Sequence, residues 1–151
     1  MINNDVLRSI RYMLDLSDIK VAEIAKLADE GLVLDKDDVK SFLAKEDSQE
    51  FSECTDAVLA RFLDGLIIDR RGRNDSVPAR SIEKRITNNL VLKKLRVAFE
   101  LKDDDMHAIF AEADFPVTKP ELSALFRQPG HKHFRPCGDQ MLRNFLKGLT
   151  L

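Results

Sequence analysis

Apolar residues recur along the chain at spacings of three and four, which is the pattern of amphipathic helices. Four such stripes follow one another in the first part of the chain and predict four short helices. Their apolar positions are Val6, Leu7, Ile10, Met13 and Leu14, then Val21, Ile24, Leu27 and Ala28, then Val39, Phe42 and Leu43, and finally Leu59, Phe62 and Leu63. The alternation of period two that is typical of strands is absent, so the pattern predicts an all-α fold.

The same four stripes return about 85 residues later. Residues 3–30 align with residues 88–115 with 10 identities in 28 pairs, and residues 34–66 align with residues 117–149 with 9 identities in 33 pairs. Chance gives about one identity in sixteen pairs for an average composition. The sequence therefore predicts a tandem duplication of a four-helix unit, with a first helical repeat at 1–69, a basic linker at 70–86 and a second helical repeat at 87–151.

Polar residues in front of the stripes predict where the helices begin. The predicted N-caps are Asn3 or Asn4, Asp18, Asp35 and Asp56 in the first repeat, and Asp103, Thr118 and Asp139 in the second. Thr118, with Glu121 three residues later, has the pattern of a capping box. Gly65 and Gly148 follow the last stripe of each repeat, and they predict a left-handed turn that ends the fourth helix.

Each repeat of about 65 residues can bury only a small core by itself. We therefore expect the two repeats to pack as one compact body, related by a pseudo-two-fold axis. Charge is unevenly divided, because residues 1–69 carry 8 basic and 16 acidic side chains, whereas residues 87–151 carry 10 and 8. This asymmetry suggests either that the two halves attract each other or that only one of them meets an anionic partner. We favour mutual attraction.

The overall composition narrows the class of protein. The formal charge of the 151 residues is −2, and no apolar stretch approaches the roughly 20 residues that span a bilayer. The first residues lack the basic and apolar regions of a signal peptide, and two cysteines are too few for a disulfide framework. We therefore expect a cytoplasmic protein with no membrane span.

Five short motifs distinguish this chain from an arbitrary helical sequence. They are Asn-Asn-Asp-Val-Leu-Arg-Ser-Ile-Arg-Tyr at 3–12, Phe-Leu-Asp-Gly-Leu-Ile at 62–67, Arg-Gly at 71–72, Asn-Asn-Leu-Val-Leu-Lys-Lys-Leu-Arg at 88–96 and Cys-Gly-Asp at 137–139. As a set they resemble the YehS-like family of bacterial proteins, which is defined by two tandem copies of a domain of unknown function. The resemblance covers nearly the whole chain. It implies a duplicated helical fold of cytoplasmic bacterial type, and it supplies no activity, substrate or catalytic residue.

Cys54 and Cys137 hold the same position in the two repeats, each two residues before an aspartate. A redox pair or a nucleophile is one interpretation, and two small buried side chains beside a helix start is the one we favour. His131, His133 and Cys137 form a His-x-His-x3-Cys pattern whose spacing fits no common closed zinc site, so we predict no metal. His107 faces away from its stripe, and we expect it to be exposed.

Arg11 and Arg96 also hold equivalent positions, with Asp15 and Glu100 four residues later. A duplicated arginine could bind phosphate. The interpretation we favour is an internal ion pair in which the guanidinium also bonds backbone groups at a helix end.

A basic cluster around the linker is the candidate site for nucleic acid. Its candidate contacts are Arg70, Arg71, Arg73, Lys93 and Lys94, with Arg80, Lys84 and Arg85 nearby in sequence. Such side chains neutralise phosphates and release counterions. The strongly acidic first repeat and the single tyrosine, Tyr12, count against this function, since they leave little surface for phosphates or for stacked bases.

No known catalytic motif is present in the sequence: there is no Gly-rich phosphate loop, no Gly-x-Ser-x-Gly and no His-Glu-x-x-His. We therefore expect no enzyme and no cofactor. The leading hypothesis is a non-enzymatic interaction or adaptor module that binds a protein partner or a second copy of itself as a homodimer. The alternative is a nucleic-acid-associated regulator that binds through the linker and the start of the second repeat.

Overall fold

The structure is a computed structural model that describes residues 1–73 and 82–151. Within these residues the chain forms eight α-helices and no strand. In chain order they are α1 (Asn3–Leu14), α2 (Asp18–Ala28), α3 (Lys36–Leu43), α4 (Asp56–Arg71), α5 (Asn88–Ala98), α6 (Asp103–Glu112), α7 (Lys119–Leu125) and α8 (Asp139–Thr150). The prediction of an all-α tandem duplication is confirmed. Arg80, one of the predicted linker cations, lies outside the described residues.

The helices fall into two compact units, Met1–Ile86 and Thr87–Leu151, with four helices in each. We call them the first and second unit. Helix α4 continues through Arg70 and Arg71, two residues that the sequence analysis assigned to the linker, and it ends at Gly72 with a positive φ of 81°. The packing of the two repeats about a two-fold axis stays a prediction. Among the described residues, no helix has both the length and the apolar character needed to cross a membrane.

The predicted stripes supply the cores of the two units, although Met13, Leu14 and Leu43 are half-buried and α2 shows a shift of register. In α2 the buried residues are Val21, Ala22, Ile24 and Ala25, whereas the predicted Leu27 and Ala28 are half-buried. The buried face of α2 thus includes two small residues, Ala22 and Ala25, beside the larger Val21 and Ile24. The largest fully buried side chains include three phenylalanines, Phe62 of the first unit and Phe110 and Phe145 of the second.

Gly65 and Gly148 lie inside α4 and α8, so the prediction that they end these helices is wrong. A Cβ atom at Gly65 would lie 1.8 Å from the carbonyl oxygen of Ile24 in α2, and one at Gly148 would lie 2.0 Å from that of Ile109 in α6. Each glycine is therefore the point where two helix backbones of the same unit touch. A tertiary contact, and not local turn geometry, explains why glycine stands there.

Two of the predicted N-caps are correct, and the others lie one or two residues after the actual N-cap. Asp35 caps α3 and Thr118 caps α7, each in a capping box. The N-caps of α2 and α4 are Ser17 and Thr55, whose hydroxyl oxygens accept backbone N–H bonds, and Asp18 follows its cap by one residue. The remaining starts were also misplaced by one or two residues, since α1, α6 and α8 have Ile2, Lys102 and Gly138 at the N-cap.

Candidate functional site

One asparagine in each unit, fully buried in the first unit and half-buried in the second, joins the first helix to the loop that precedes the fourth. Asn4 has no exposed surface; its Nδ2 donates to the carbonyls of Phe42 and Ser52, and its Oδ1 accepts from the N–H of Cys54, all at 2.9 Å. Asn89 makes the same three bonds, to Leu125, Arg135 and Cys137, at 2.8 to 2.9 Å. We call Asn4 and Asn89 the asparagine clamps. They close a loop that has no regular structure of its own.

The preceding asparagines bind the start of the fourth helix. Asn3 donates from Nδ2 to Asp56 Oδ1 at 2.7 Å, and Asn88 donates to Asp139 Oδ1 at 2.8 Å. Asp56 and Asp139 are thus the first residues of their helices and not the predicted N-caps. The amide of Asn88 lowers the pKa of Asp139, because it stabilises the charged carboxylate. Asn3 and Asn88 are not helix caps. Each of them joins the first helix of its unit to the fourth.

Both cysteines are free thiols buried beside the clamps, as the sequence predicted. Burial, aided by the carboxylates of Asp56 and Glu53, raises the pKa of the Cys54 thiol to about 12. Burial and the Asp139 carboxylate likewise raise the pKa of Cys137 to about 11. Because the thiolate is the nucleophile, these environments suppress thiol chemistry at neutral pH.

We expect both thiols to react slowly while the protein is folded. At pH 8 a thiol of pKa about 11 is ionised in only about one molecule per thousand, against roughly one in four for an ordinary cysteine. Labelling with 5,5′-dithiobis(2-nitrobenzoate) at pH 8 should be at least about 100-fold slower in the native protein than in guanidinium chloride. Native labelling as fast as denatured labelling would contradict the buried placement.

Arg11 and Arg96 each hold the turn that follows the first helix of their unit. The Nε of Arg11 donates to the carbonyl of Leu16 at 3.2 Å, and its own carbonyl accepts from the N–H of Leu16 at 3.0 Å. Arg96 and Leu101 repeat both bonds. The predicted link to backbone at a helix end is confirmed. The ion-pair partners are the first residues of the next helices, Asp18 and Asp103, instead of residues four positions on.

Asp29 and Asp114 hold equivalent positions in the two repeats, but their environments differ. Asp29 accepts from the Nε of Arg61 at 2.8 Å, and this hydrogen bond lowers the pKa of Asp29. The position equivalent to Arg61 in the second repeat is occupied by Asn144. Asp114 instead has a left-handed backbone, with φ of 57°. The two units therefore share a scaffold but not all of their surface chemistry.

A groove opens beside Arg11 in the first unit. It has a volume of about 630 Å³, is open to solvent, and lies between the end of α1, the start of α2, and α3 with the loop after it. Its lining is Arg11, Asp18, Asp37, Lys40, Ser41, Leu43, Ala44 and Glu50. The lining thus combines three carboxylates, two cations, one hydroxyl and two apolar side chains. We call it the first-unit groove, and it was not predicted from the sequence.

The second unit places an aromatic ring at the equivalent point. Position 43 of the first repeat corresponds to position 126 of the second, and the ring of Phe126 lies 4.8 Å from the Arg96 guanidinium. Arg96 also contacts Asp103 at 2.5 Å, whereas Arg11 and Asp18 are 3.8 Å apart. In the second unit the guanidinium is thus covered by the protein's own side chain, and in the first unit it borders a groove.

The exposed large apolar side chains near this groove in sequence belong to the first unit. Tyr12 is 79% exposed and Ile19 is 54% exposed, and they follow the groove residues Arg11 and Asp18 directly in the chain. The second repeat has Val97 and Asp104 at the equivalent positions, of which Val97 is half-buried. Tyr12 and Ile19 lie outside the apolar stripes, which is the signal that could have indicated exposed apolar surface.

The histidine loop of the second unit shows no geometry for binding a metal. The N–H of His133 donates to Nδ1 of His131 at 3.0 Å, and Cys137 is buried with its N–H on Asn89. Within the part of the chain that the structure describes, no three His, Cys, Asp or Glu side chains form a potential metal site. His107 is half-buried and its Nδ1 lies 2.9 Å from a backbone carbonyl, so the prediction that it is exposed is wrong.

The predicted nucleic-acid residues have different environments. Arg70 and Arg71 are exposed in the last turn of α4, and Lys93 is exposed on α5. Arg73 donates from Nη2 to a backbone carbonyl at the end of α2 at 2.9 Å, and Lys94 is only 9% exposed. Arg70, Arg71 and Arg73 belong to the first unit and the two lysines to the second, so a surface shared by all five stays a prediction.

Comparison with known families agrees with the duplicated geometry. The model of a family described as a protein of unknown function, DUF1456, matches twice, at residues 3–72 and 88–151. The chain belongs to the DUF1456 family. The two matches coincide with the two sets of four helices, so one family domain corresponds to one repeat.

The chain is also similar to a protein described as uncharacterized protein YehS from Escherichia coli strain K12. The two are 48% identical over 150 residues, which is 99% of this chain and 95% of that protein. No solved structure matches this chain. The resemblance stated from the sequence motifs is confirmed.

Proposed function

We propose that this protein is a non-enzymatic, cytoplasmic interaction module that binds a protein partner in the first-unit groove. The observation that supports this is the difference between the two repeats. The duplicated arginine is covered by Phe126 in the second unit and borders an open groove in the first. A site that one copy keeps open and the other fills with its own side chain is suited to a ligand that replaces the missing group.

Exposed apolar side chains of the first unit support a protein as the ligand. Tyr12 and Ile19 are exposed beside groove residues in the sequence, and aromatic side chains are enriched at protein interfaces. The first repeat carries 16 acidic and 8 basic side chains, so it repels phosphate and attracts a cationic partner. A nucleic acid would meet this charge unfavourably.

The nucleic-acid alternative depends on the basic cluster instead. Lys94 is buried and Arg73 already donates to a carbonyl, which leaves both poorly placed for phosphates. A second copy of this chain is another partner considered from the sequence. Both alternatives give outcomes distinct from the proposal in the experiment below.

The proposal is tested by photocrosslinking in the native host cells. Lys40, which lines the groove and is exposed, is replaced by p-benzoylphenylalanine, and the control places the same residue at Lys26, which is exposed on α2 away from the lining. We expect irradiation to give a discrete protein adduct from position 40 and not from position 26, because only the first probe faces a bound partner.

Mass spectrometry of the adduct separates the alternatives. A partner peptide joined at position 40 supports the proposal. An adduct of twice the chain mass shows self-association, and an adduct sensitive to nuclease shows the regulator. Equal adducts at both positions, or none at position 40, would overturn the proposed site.

A further inference from the structure

The duplication gives an internal reference for what the first-unit groove lacks. In the second unit the Arg96 guanidinium has a backbone carbonyl, the Asp103 carboxylate and the Phe126 ring around it. In the first unit the carbonyl and the carboxylate are conserved as Leu16 and Asp18, whereas Leu43 replaces the phenylalanine. The Arg11 side chain is 45% exposed, against 26% for Arg96. The missing contact is an aromatic ring on the arginine.

The charges on the lining specify a second requirement. Asp37 and Glu50 line the first-unit groove, and the second repeat has Pro120 and His133 at these positions. Lys40 also lines the groove, but the lining still has three carboxylates against two cations. An occupant with a positive charge beside its ring is therefore favoured in the first unit.

We propose that the first-unit groove binds a partner segment in which an aromatic side chain is followed directly by a basic one. The ring stacks on Arg11 as Phe126 stacks on Arg96, and the cation lies between Asp37 and Glu50. This inference rests on the proposed function and names the chemistry of the partner at the same site.

The test is a titration of the full-length ¹⁵N-labelled protein with the peptide acetyl-Gly-Phe-Arg-Gly-amide, followed by ¹H–¹⁵N spectra. We expect saturable shifts at the residues that line the groove. A peptide with leucine in place of phenylalanine loses the cation–π contact, and one with glutamate in place of arginine meets Asp37 and Glu50 with like charge. Each should bind about fivefold more weakly or worse.

The repeat supplies a matched pair of variants. Leu43→Phe gives the first unit the ring that the second unit already accommodates, so the protein should stay folded while the groove shifts disappear. Phe126→Leu is the control: it removes the ring over Arg96, but Pro120 and His133 replace the two carboxylates, so we expect no second site for the Phe-Arg peptide. Unchanged binding by Leu43→Phe would overturn the assignment of the site.

Other outcomes are equally decisive. Equal affinity for the three peptides would overturn the chemistry assigned to the partner. Spectral shifts that grow with protein concentration alone would also overturn it, because they would mean that a second copy of the chain occupies the groove. Tighter binding of a single-stranded DNA oligomer than of the Phe-Arg peptide would also overturn it. The proposed function fails separately, through the absence of a position-40 adduct in cells, so the two failures are distinguishable.

Discussion

Replacing Gly65 by alanine should destabilise the first unit by about 3 kcal/mol, at the upper end of what overpacking costs. The added Cβ would lie 1.8 Å from the carbonyl oxygen of Ile24, and a backbone atom cannot move aside as a flexible side chain can. An alanine in place of glycine ordinarily stabilises a helix by about 1 kcal/mol, so the measured loss would run against local propensity. Helices α2 and α4 would have to separate to accept it.

Urea unfolding followed by circular dichroism measures this loss. Gly148→Ala is a replicate in the second unit, where the Cβ would meet the Ile109 carbonyl at 2.0 Å. Gly130→Ala is the matched control, because nothing lies within 4 Å of its Cβ, and we expect a change within about 0.5 kcal/mol. A Gly65→Ala variant as stable as the wild type would disprove the close approach of α2 and α4.

Replacing one asparagine clamp by alanine should lower the free energy of unfolding by a similar amount. Asn4→Ala deletes three hydrogen bonds at a fully buried position and leaves the Cys54 N–H and two carbonyls without that partner. Since each unsatisfied buried group costs roughly 1–3 kcal/mol, and water entering the cavity recovers part of it, we expect a loss of about 3 kcal/mol in the same unfolding experiment. Asn89→Ala removes the same three bonds in the second unit, but Asn89 is half-buried, so we expect a smaller loss there.

The clamp also predicts a pH-dependent variant. Asn4→Asp is nearly isosteric, but it puts carboxylate oxygen where Nδ2 now donates to the Phe42 and Ser52 carbonyls. Burial and these carbonyls raise the pKa of the introduced carboxyl in the folded state, so its charged form penalises folding at neutral pH, and the penalty is lost as pH falls through that raised pKa. The stability gap to the wild type should therefore narrow on acidification.

Asn144→Ala is the control for the clamp. Its Nδ2 donates to the Gln140 carbonyl within the same helix at an exposed site, so we expect a change within about 0.5 kcal/mol. An Asn4→Ala variant no less stable than the control would show that the clamp does not hold the loop.

The helical fold and its duplication could be predicted because both depend on local pattern. The spacing of Val6, Leu7 and Ile10 fixes a helix face regardless of what packs on it, and identities between repeats need no structure to be counted. The helix starts at Asp35 and Thr118 were predicted correctly. Those at Ser17 and Thr55 were missed, because in each case the aspartate that follows the cap was chosen instead.

The errors concern residues whose role is set by distant parts of the chain. Asn4 bonds to groups 38 to 50 residues away, and Gly65 faces a carbonyl 41 positions earlier, so both were misread as local helix-end signals. The groove was missed for a related reason. Leu43 was predicted as a position of an apolar stripe, whereas it is half-buried and lines the groove with Arg11, and Phe126 at the equivalent position is half-buried beside Arg96.

The central claim is that partners bind where the first repeat lacks the ring that the second repeat has. The most direct measurement combines the position-40 photocrosslink with Leu43→Phe in the native host cells, using the Phe126→Leu protein as the matched comparison. We expect the partner adduct to disappear with Leu43→Phe and to persist with Phe126→Leu. An adduct that survives Leu43→Phe undiminished would contradict it.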